Sequence, residues 1–447
     1  MDQAHQLWMW WHSLLTAFAP VFTRPGWVRF AQWVTGMVLC WEEHTITQIL
    51  MSLGLESRWR VLEHFAEYGA WDRKAVERQT LQLIEQERPA RWGRYRPVAL
   101  DDTKLHRTSA KVWGTCTFHE SSARSPNRAE TVRAHNWVVM GDLMPGTPWM
   151  YLPHGARLYC RKNQLPAGEI FRTKTTLAVE LLRQADAASR APIIGVFDGA
   201  YGVETVVDPC LHPQPGSRRI ELLTRLRADA RLYSAAVPKP RAKGRRPLWG
   251  PRLAAPRHHL YWPTSWQQSR AWVYGRIRRF RYKHLRCRWS VSGPNTPVHV
   301  LVVVVDGYAT PWFLVTSALD LSAAQVVEAF TARFRQEDGF RDQKQRLGME
   351  ECRAWTKEPV LRTFQVQPLA LTLLRRLQFR LDQARGANSW WLTPAWNPRK
   401  RHGSILDLRR LFRRHHAVFS QLLLGLEEIE KIAQPSRPGE QRVSRVA

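Results

Sequence analysis

Apolar residues recur along this chain in two kinds of pattern, and the change from one to the other divides it. Up to about Gln86 the spacing is helical, and residues 43–62 read as a helix, a turn at Gly54 and a second helix capped by Ser57. That pair is either a helix-turn-helix placing Arg58 and Arg60 on a nucleic acid or an ordinary αα-hairpin. From Pro97 onward short runs of strand length take over at 98–100, 135–141, 149–153 and 192–197. The first three predict a meander, with a polar loop through Ser125 after the first. Residues 171–184, apolar at Leu177, Val179, Leu181 and Leu182, predict a helix leading into the fourth strand. Three strands, a helix and a strand make an α/β core.

Beyond Phe197 the pattern lengthens. Residues 220–227 continue the core as a strand, and 239–257 form a loop rich in Pro, Lys and Arg. Four further strands follow at 270–282, 287–292, 298–305 and 312–316, which describes a β-rich insertion. Helical spacing returns at 330–348, ended by Gly348, and at 357–381, while 386–403 is loop-like and 404–424 forms one or two amphipathic helices. The polar, Pro-containing stretch 434–447 is expected to be disordered. The expected divisions are a helical region 1–90, the core in two parts at 91–215 and 321–385, the insertion at 216–320 and a basic helical region at 386–447.

Composition adds a partner. Lys and Arg number 67 against 38 Asp and Glu, a formal charge of +29, which points to a polyanion. The longest apolar stretches fall short of the ~20 residues that cross a membrane, and the opening segment 7–15 lacks the basic lead and small-residue cleavage site of a secretory signal. Six dispersed cysteines, without a C-x-x-C pair, give no zinc or redox signature and read as reduced thiols of a cytoplasmic protein.

Candidate chemistry lies where apolar strands end in acids. Asp101 or Asp102 closes the first strand and Asp198 the fourth, while Glu337 lies in the helix 330–348. At about 100° per residue, Arg333, Glu337 and Lys344 fall within about 40° of one another. Acids at strand ends gather where α/β sheets bind ligands, and three carboxylates can hold two Mg²⁺ ions for attack on a phosphodiester. The insertion interleaves Trp262, Trp266 and Trp272 with Arg270, Arg276, Arg278, Arg279, Arg281 and Lys283. Such a surface neutralises phosphates and stacks bases; the plainer reading is that aromatic residues of neighbouring strands pack on each other.

The spacing Phe330-x2-Arg333-x3-Glu337-x6-Lys344 resembles the Tyr-Arg-Glu-Lys signature of DDE transposases of the IS4 group. The Asp101-Asp102-Thr103 and Phe197-Asp-Gly-Ala-Tyr-Gly202 motifs are most similar to its IS701-like branch. The resemblance spans roughly 98–374. It implies an α/β, RNase H-like catalytic core (a mixed sheet flanked by helices) with a β-rich insertion and a helical N-terminal domain. It also implies Mg²⁺, with Mn²⁺ as a substitute, and cut-and-paste transposition of double-stranded DNA through terminal inverted repeats and target DNA, by a homodimer on paired ends. Asp101, Asp198 and Glu337 would be catalytic and would bind metal. The Asp-x-Thr pattern favours Asp101 as the first ligand, and a direct Asp-Thr reading favours Asp102. Arg333, Arg341, Lys344 and Phe330 would lie along DNA, Phe330 without the hydroxyl usual at its position. Trp266 or Trp272 would stack on a flipped base. A nuclease of the same core without end specificity, and a non-catalytic DNA-binding repressor, are the alternative readings.

Overall fold

The computed structural model describes residues 3–86, 92–120, 131–236, 247–263, 265–385 and 390–433. In chain order their helices and strands are α1 (Gln3–Thr16), α2 (Arg24–Leu39), α3 (Ile46–Met51), α4 (Trp59–Tyr68), α5 (Arg73–Gln86), β1 (Arg96–His106), β2 (Cys116–His119), β3 (Thr131–Met144) and β4 (Met150–Tyr159). Next come α6 (Lys174–Ala188), β5 (Ile193–Phe197), α7 (Glu204–Leu211), β6 (Glu221–Arg225), β7 (Leu232–Tyr233), β8 (Gln267–Val273), β9 (Arg276–Trp289), β10 (Pro297–Val305) and β11 (Trp312–Thr316). The chain closes with α8 (Ala323–Ala332), α9 (Phe334–Arg346), α10 (Lys357–Arg385), α11 (Ile405–Arg414) and α12 (His416–Ala433). Two compact units result: one takes residues up to Val76 and from Leu377 onward, the other Glu77–Arg376.

In the helical unit, α2 is started by Thr23, whose hydroxyl accepts from the Gly26 amide, and by Pro25 in its first turn. Nearly all of it from Phe30 on is buried. Gly36 lets α3 approach, since a Cβ there would stand 2.6 Å from Ile49 Cγ2. Among the polar groups of this core, Trp11 Nε1 donates to Thr35 Oγ1 at 3.0 Å, and buried Arg409 donates to the carbonyls of Val38 (3.0 Å) and Cys40. The region read as two helices at 43–62 is shorter and different in detail. α3 begins at Ile46, capped by Thr45, and a 3-10 turn, Glu56–Arg58, leads into α4. Ser57 sits inside that turn and caps nothing, because Gly54, at φ +68°, stops α3 and the chain re-enters helix through the turn. Arg60 is exposed, 5.2 Å from the ring centre of its neighbour Trp59, and Arg58 is half-buried.

The larger unit is built on an 11-stranded mixed sheet of order β2-β3-β1-β5-β6-β11-β10-β9-β7, with β4 on β3 and β8 on β9. β1 is antiparallel to β3, and β1, β5 and β6 run parallel to their neighbours in that trio. Apolar residues line both faces, as strands covered on two sides require. Val98, Leu100, Val138, Met140 and Phe197 pack with Leu177, Leu181 and Leu182 of α6 on one face. Ala99, Val196, Tyr151 and Leu301 pack with Val326, Val327 and Phe330 of α8 on the other. This is a mixed α/β sheet flanked by helices, consistent with an RNase H-like fold. The strands after Asp198 belong to the same sheet, joined through the β6 to β11 pairing.

Four details depart from the sequence pattern. The stretch after Asp102 is loop only at 107–115: β1 runs on to His106, and β2 pairs with 131–134 at the start of β3. Residues 121–130 lie outside the described residues, as do 239–246 of the expected basic loop, 386–389 of the later loop, and 434–447. The strand expected over 270–282 folds back at Tyr274 and Gly275, both at positive φ (46° and 88°), into the β8–β9 hairpin. No separate strand begins at 287, because β9 runs from Arg276 through Trp289. The helix expected from 330 is two, since α8, opened by the Ser322–Gln325 capping box, ends at Arg333 and α9 starts after it.

Candidate active site

Alternation along β1 separates its two adjacent acids. Val98 and Leu100 face α6, whereas Ala99 faces the α8 side, so by parity Asp102 belongs to the first face and Asp101 to the second. Their contacts agree. Lys174, in the first turn of α6, places Nζ 2.6 Å from Asp102 Oδ2, and the Tyr201 hydroxyl donates to Asp102 Oδ1 at 3.2 Å. Asp101 instead lies 3.5 Å from the Arg333 guanidinium, which also donates to Glu337 at 3.1 Å. Arg333, at the joint between α8 and α9, thus bridges the strand acid and the helix acid.

Asp198 follows β5, which lies beside β1 in parallel register with Ala99 opposite Val196. Val196 points to the α8 side, so Asp198, two residues on, carries the same parity as Asp101. Its carboxylate accepts from the Ala200 amide at 2.9 Å, and Thr224 of β6 donates to its carbonyl at 2.7 Å, which fixes the turn that ends the strand. Burial pushes the Asp101 carboxyl up to about 6, and the nearby Asp198 charge pushes the same way against the backbone amide of Asp102 and the Arg333 charge.

α9 is held at this level by groups that the sequence pattern did not mark. Gln336 is fully buried, and its amide donates to the Val139 carbonyl (3.1 Å) and the Tyr151 hydroxyl (3.2 Å). Val139 is the register partner of Asp101, so Gln336 ties the residue before Glu337 to the level of the strand acid. Gly339 allows the close approach: a Cβ would stand 2.6 Å from Tyr151 Cδ1. Lys174, Gln336 and Tyr151 carry no motif of their own, and Tyr201 entered only as part of the motif that follows Asp198. The one signal available was a glutamine and a glycine at helical spacing beside Glu337, where a buried face needs small or hydrogen-bonded groups.

The remaining predicted residues are scattered around this centre. Lys344, two turns beyond Glu337 in α9, reaches the Lys104 carbonyl (2.9 Å) and Glu350 (3.1 Å). Arg341 is exposed and pairs with Asp338 at 2.8 Å. Phe330 is buried in the core beside Trp312 and presents no surface to a partner. Trp272 helps to line a cavity of about 110 Å³ with Trp149, Tyr274, Glu328 and Phe334. Trp266 lies under two cations, Arg281 at 5.3 Å and Lys283 at 4.9 Å from its ring centre. Both tryptophans are partly buried, and the basic and aromatic side chains of β9 and its surroundings do interleave in space.

Asp101, Asp198 and Glu337 suit a hard divalent cation in donor chemistry, being three carboxylates, one of them raised toward protonation by burial and a like charge. As they stand, no three His, Cys, Asp or Glu side chains among the described residues are grouped closely enough to share an ion. Arg333 supplies the positive charge between two of them.

A family model described as DDE superfamily endonuclease matches residues 17–289. The match includes Asp101, Asp102 and Asp198 and ends before Glu337. No curated protein matches the chain. No helix among the described residues is long and apolar enough to cross a membrane.

Proposed function

The chain belongs to the DDE superfamily of endonucleases, and from that premise we propose that it is a DNA transposase, of the IS4 group and its IS701-like branch, that cuts and joins transposon ends at Asp101, Asp198 and Glu337. The observation that carries this reading is the parity of the sheet. Asp101 and Asp198 share the α9 side of β1 and β5, Glu337 meets Asp101 through Arg333, and Asp102 lies on the opposite face with Lys174 and Tyr201.

A divalent cation held by the three carboxylates, Mg²⁺ with Mn²⁺ as substitute, would supply an activated attacking oxygen and stabilise the leaving one. The chain's own residues do the rest. Gln336 and Gly339 fix α9 against β3 and β4, Arg333 offsets the charge of Asp101 and Glu337 and lies where a phosphate would approach, and Arg279 and Arg281 with Trp262 and Trp266 offer a basic surface to double-stranded DNA, while Lys283 is buried beneath it on the Trp262 carbonyl. Arg58, Arg60, Arg341 and Lys344 are assigned to flanking DNA, and a homodimer on paired ends completes the reading.

Labelled DNA carrying the element's ends and its flanks, incubated with Mg²⁺ or Mn²⁺, tests it. Wild type and Asp102→Asn should cut at the ends, and Asp101→Asn, Asp198→Asn and Glu337→Gln should lose the activity by at least about a thousandfold, the scale of removing a group essential to the transition state. Cuts in plain duplex regardless of ends would indicate a nuclease without end specificity. End binding with no metal-dependent cleavage would indicate a repressor, and loss in Asp102→Asn with retention in Asp101→Asn would reverse the choice of ligand.

A further inference from the structure

Two of the six dispersed cysteines meet in the fold, and the sheet register shows why. Ala134 of β3 pairs with both His106 of β1 and Cys116 of β2, so β1 and β2 flank β3 on opposite edges. Asn136 pairs with both Lys104 of β1 and Tyr159 of β4, which puts β4 on the same edge as β2. Both strands run antiparallel to β3, so the end of β4 abuts the start of β2, with Cys160 and Cys116 at the joint. The two side chains meet in one buried cluster, and the Cys116 thiol donates to the Gln164 carbonyl at 3.8 Å. The amide of Arg161, next to Cys160, donates to Cys116 Sγ at 3.3 Å, and Cys160 Sγ lies 3.5 Å from the Gly114 carbonyl. Phe118 and Ala134 close the cluster, in which Cys116 is fully buried and Cys160 is 8% exposed.

We propose that Cys116 and Cys160 form a reversible oxidation site, a dithiol that closes to a disulfide on reaction with peroxide and joins β2 to the end of β4.

The neighbouring Cys160 thiol draws the Cys116 thiol below its ordinary value, aided by the Arg161 amide and by the Arg133 and Arg161 charges against burial, while Cys160 is driven up. The Arg161 amide that donates to Cys116 Sγ favours a thiolate there, which makes Cys116 the attacking sulfur and Cys160 the resolving one. The Cys116 thiolate attacks one peroxide oxygen, the O–O bond breaks, and hydroxide leaves and is protonated to water, with Cys116 as the sulfenic acid. Cys160 then loses its proton and attacks the Cys116 sulfur; the S–S bond forms, the S–O bond breaks, and a second water leaves. Two thiols and one peroxide give one disulfide and two waters.

The test uses the full chain. After hydrogen peroxide, the remaining thiols are blocked with N-ethylmaleimide and the protein is digested without reductant. The expected result is a linked pair of peptides carrying Cys116 and Cys160, lighter by two hydrogens than the reduced pair and reopened by dithiothreitol, with Cys40, Cys210 and Cys287 still alkylated. Dimedone, which captures sulfenic acids, should label Cys116 in Cys160→Ser more strongly than in wild type. Wild-type mapping stands alone if that variant does not fold. Peroxide treatment that leaves both thiols open to alkylation, over-oxidises Cys116 without the link, or pairs either cysteine elsewhere would overturn the proposal. So would a linked form that unfolds at lower urea than the reduced protein, because the joint would then not accept the bond in place.

Discussion

Asp101 and Asp102 differ by a single step of the chain, and that step carries the chemistry to opposite sides of the sheet. On the α6 side Asp102 accepts from Lys174 and Tyr201. Those partners anchor the first turn of α6 and the segment after β5 to β1, which is a structural role. The Asp102 and Lys174 side chains are 24% and 33% exposed, so their coupling should be modest. A double-mutant cycle with Asp102→Asn and Lys174→Met, read by urea unfolding, is expected to give about 0.5–1 kcal/mol, with end cleavage retained in the Lys174 variant. Coupling within error of zero, or cleavage lost with Lys174→Met, would remove the distinction between the two faces. The sequence could not supply it. Adjacent acids at a strand end declare that one face is acidic, but which face holds a second acid depends on the parity of β5 and the seat of α9, both set by non-local pairing.

At the scale of elements, the strands that deliver Asp101 and Asp198 were legible because the run before each acid is apolar and buried on both faces, and the terminal helices because their polar and apolar faces alternate at helical spacing. Elements governed by single backbone angles were not. Arg333 stays in the right-handed helical region (φ −51°, ψ −33°) while the helix changes ladders, so nothing in the composition marks the joint. Tyr274 takes φ +46° in the hairpin, a conformation disfavoured for a bulky residue. Four-residue β2 is too short to alternate visibly. The seat of α9 was invisible for a related reason, since Gly339 reads as a poor helix residue until Tyr151 is seen against it. An added methyl would meet a fully buried ring whose hydroxyl is bonded to Gln336. Gly339→Ala is therefore expected to cost about 1–2 kcal/mol, overpacking in the upper part of its usual range, about 2–3, set against the ~1 that alanine gains over glycine in a helix, and to lower cleavage by displacing Glu337. A variant as stable as wild type in urea would mean that α9 does not sit this close to β4.

Across the whole molecule the charge of +29 makes every further buried cation costly, and the interior of the larger unit shows how the chain handles that. Arg96 is fully buried and clasps Asp142 through two bonds of 2.6 Å, with Glu85 at 3.0 Å. His154 lies 3.4 Å from the same Asp142, yet it is not its ion partner. Burial pulls the His154 imidazole down to about 4, and although Asp142 favours its proton, the Arg96 and Arg157 charges oppose it. His154 is neutral in the folded protein at pH 7 and in the unfolded chain takes a proton near 6.5. Below 6.5 the unfolded state binds more protons, so the stability tied to this residue is present above that pH and is lost as pH falls toward 4, by up to about 3 kcal/mol. Other buried groups titrate in the same range, Asp101 in the opposite sense, so the comparison with a variant isolates the effect. Urea unfolding of wild type and His154→Gln between pH 7 and 4.5 should show the wild-type advantage shrinking steadily as pH is lowered, because glutamine has no proton to gain. A gap that widens as pH falls would place a charged imidazole beside Asp142 and make the pair with Arg96 a three-membered ion cluster instead, and a constant gap would mean that the imidazole titrates alike in both states.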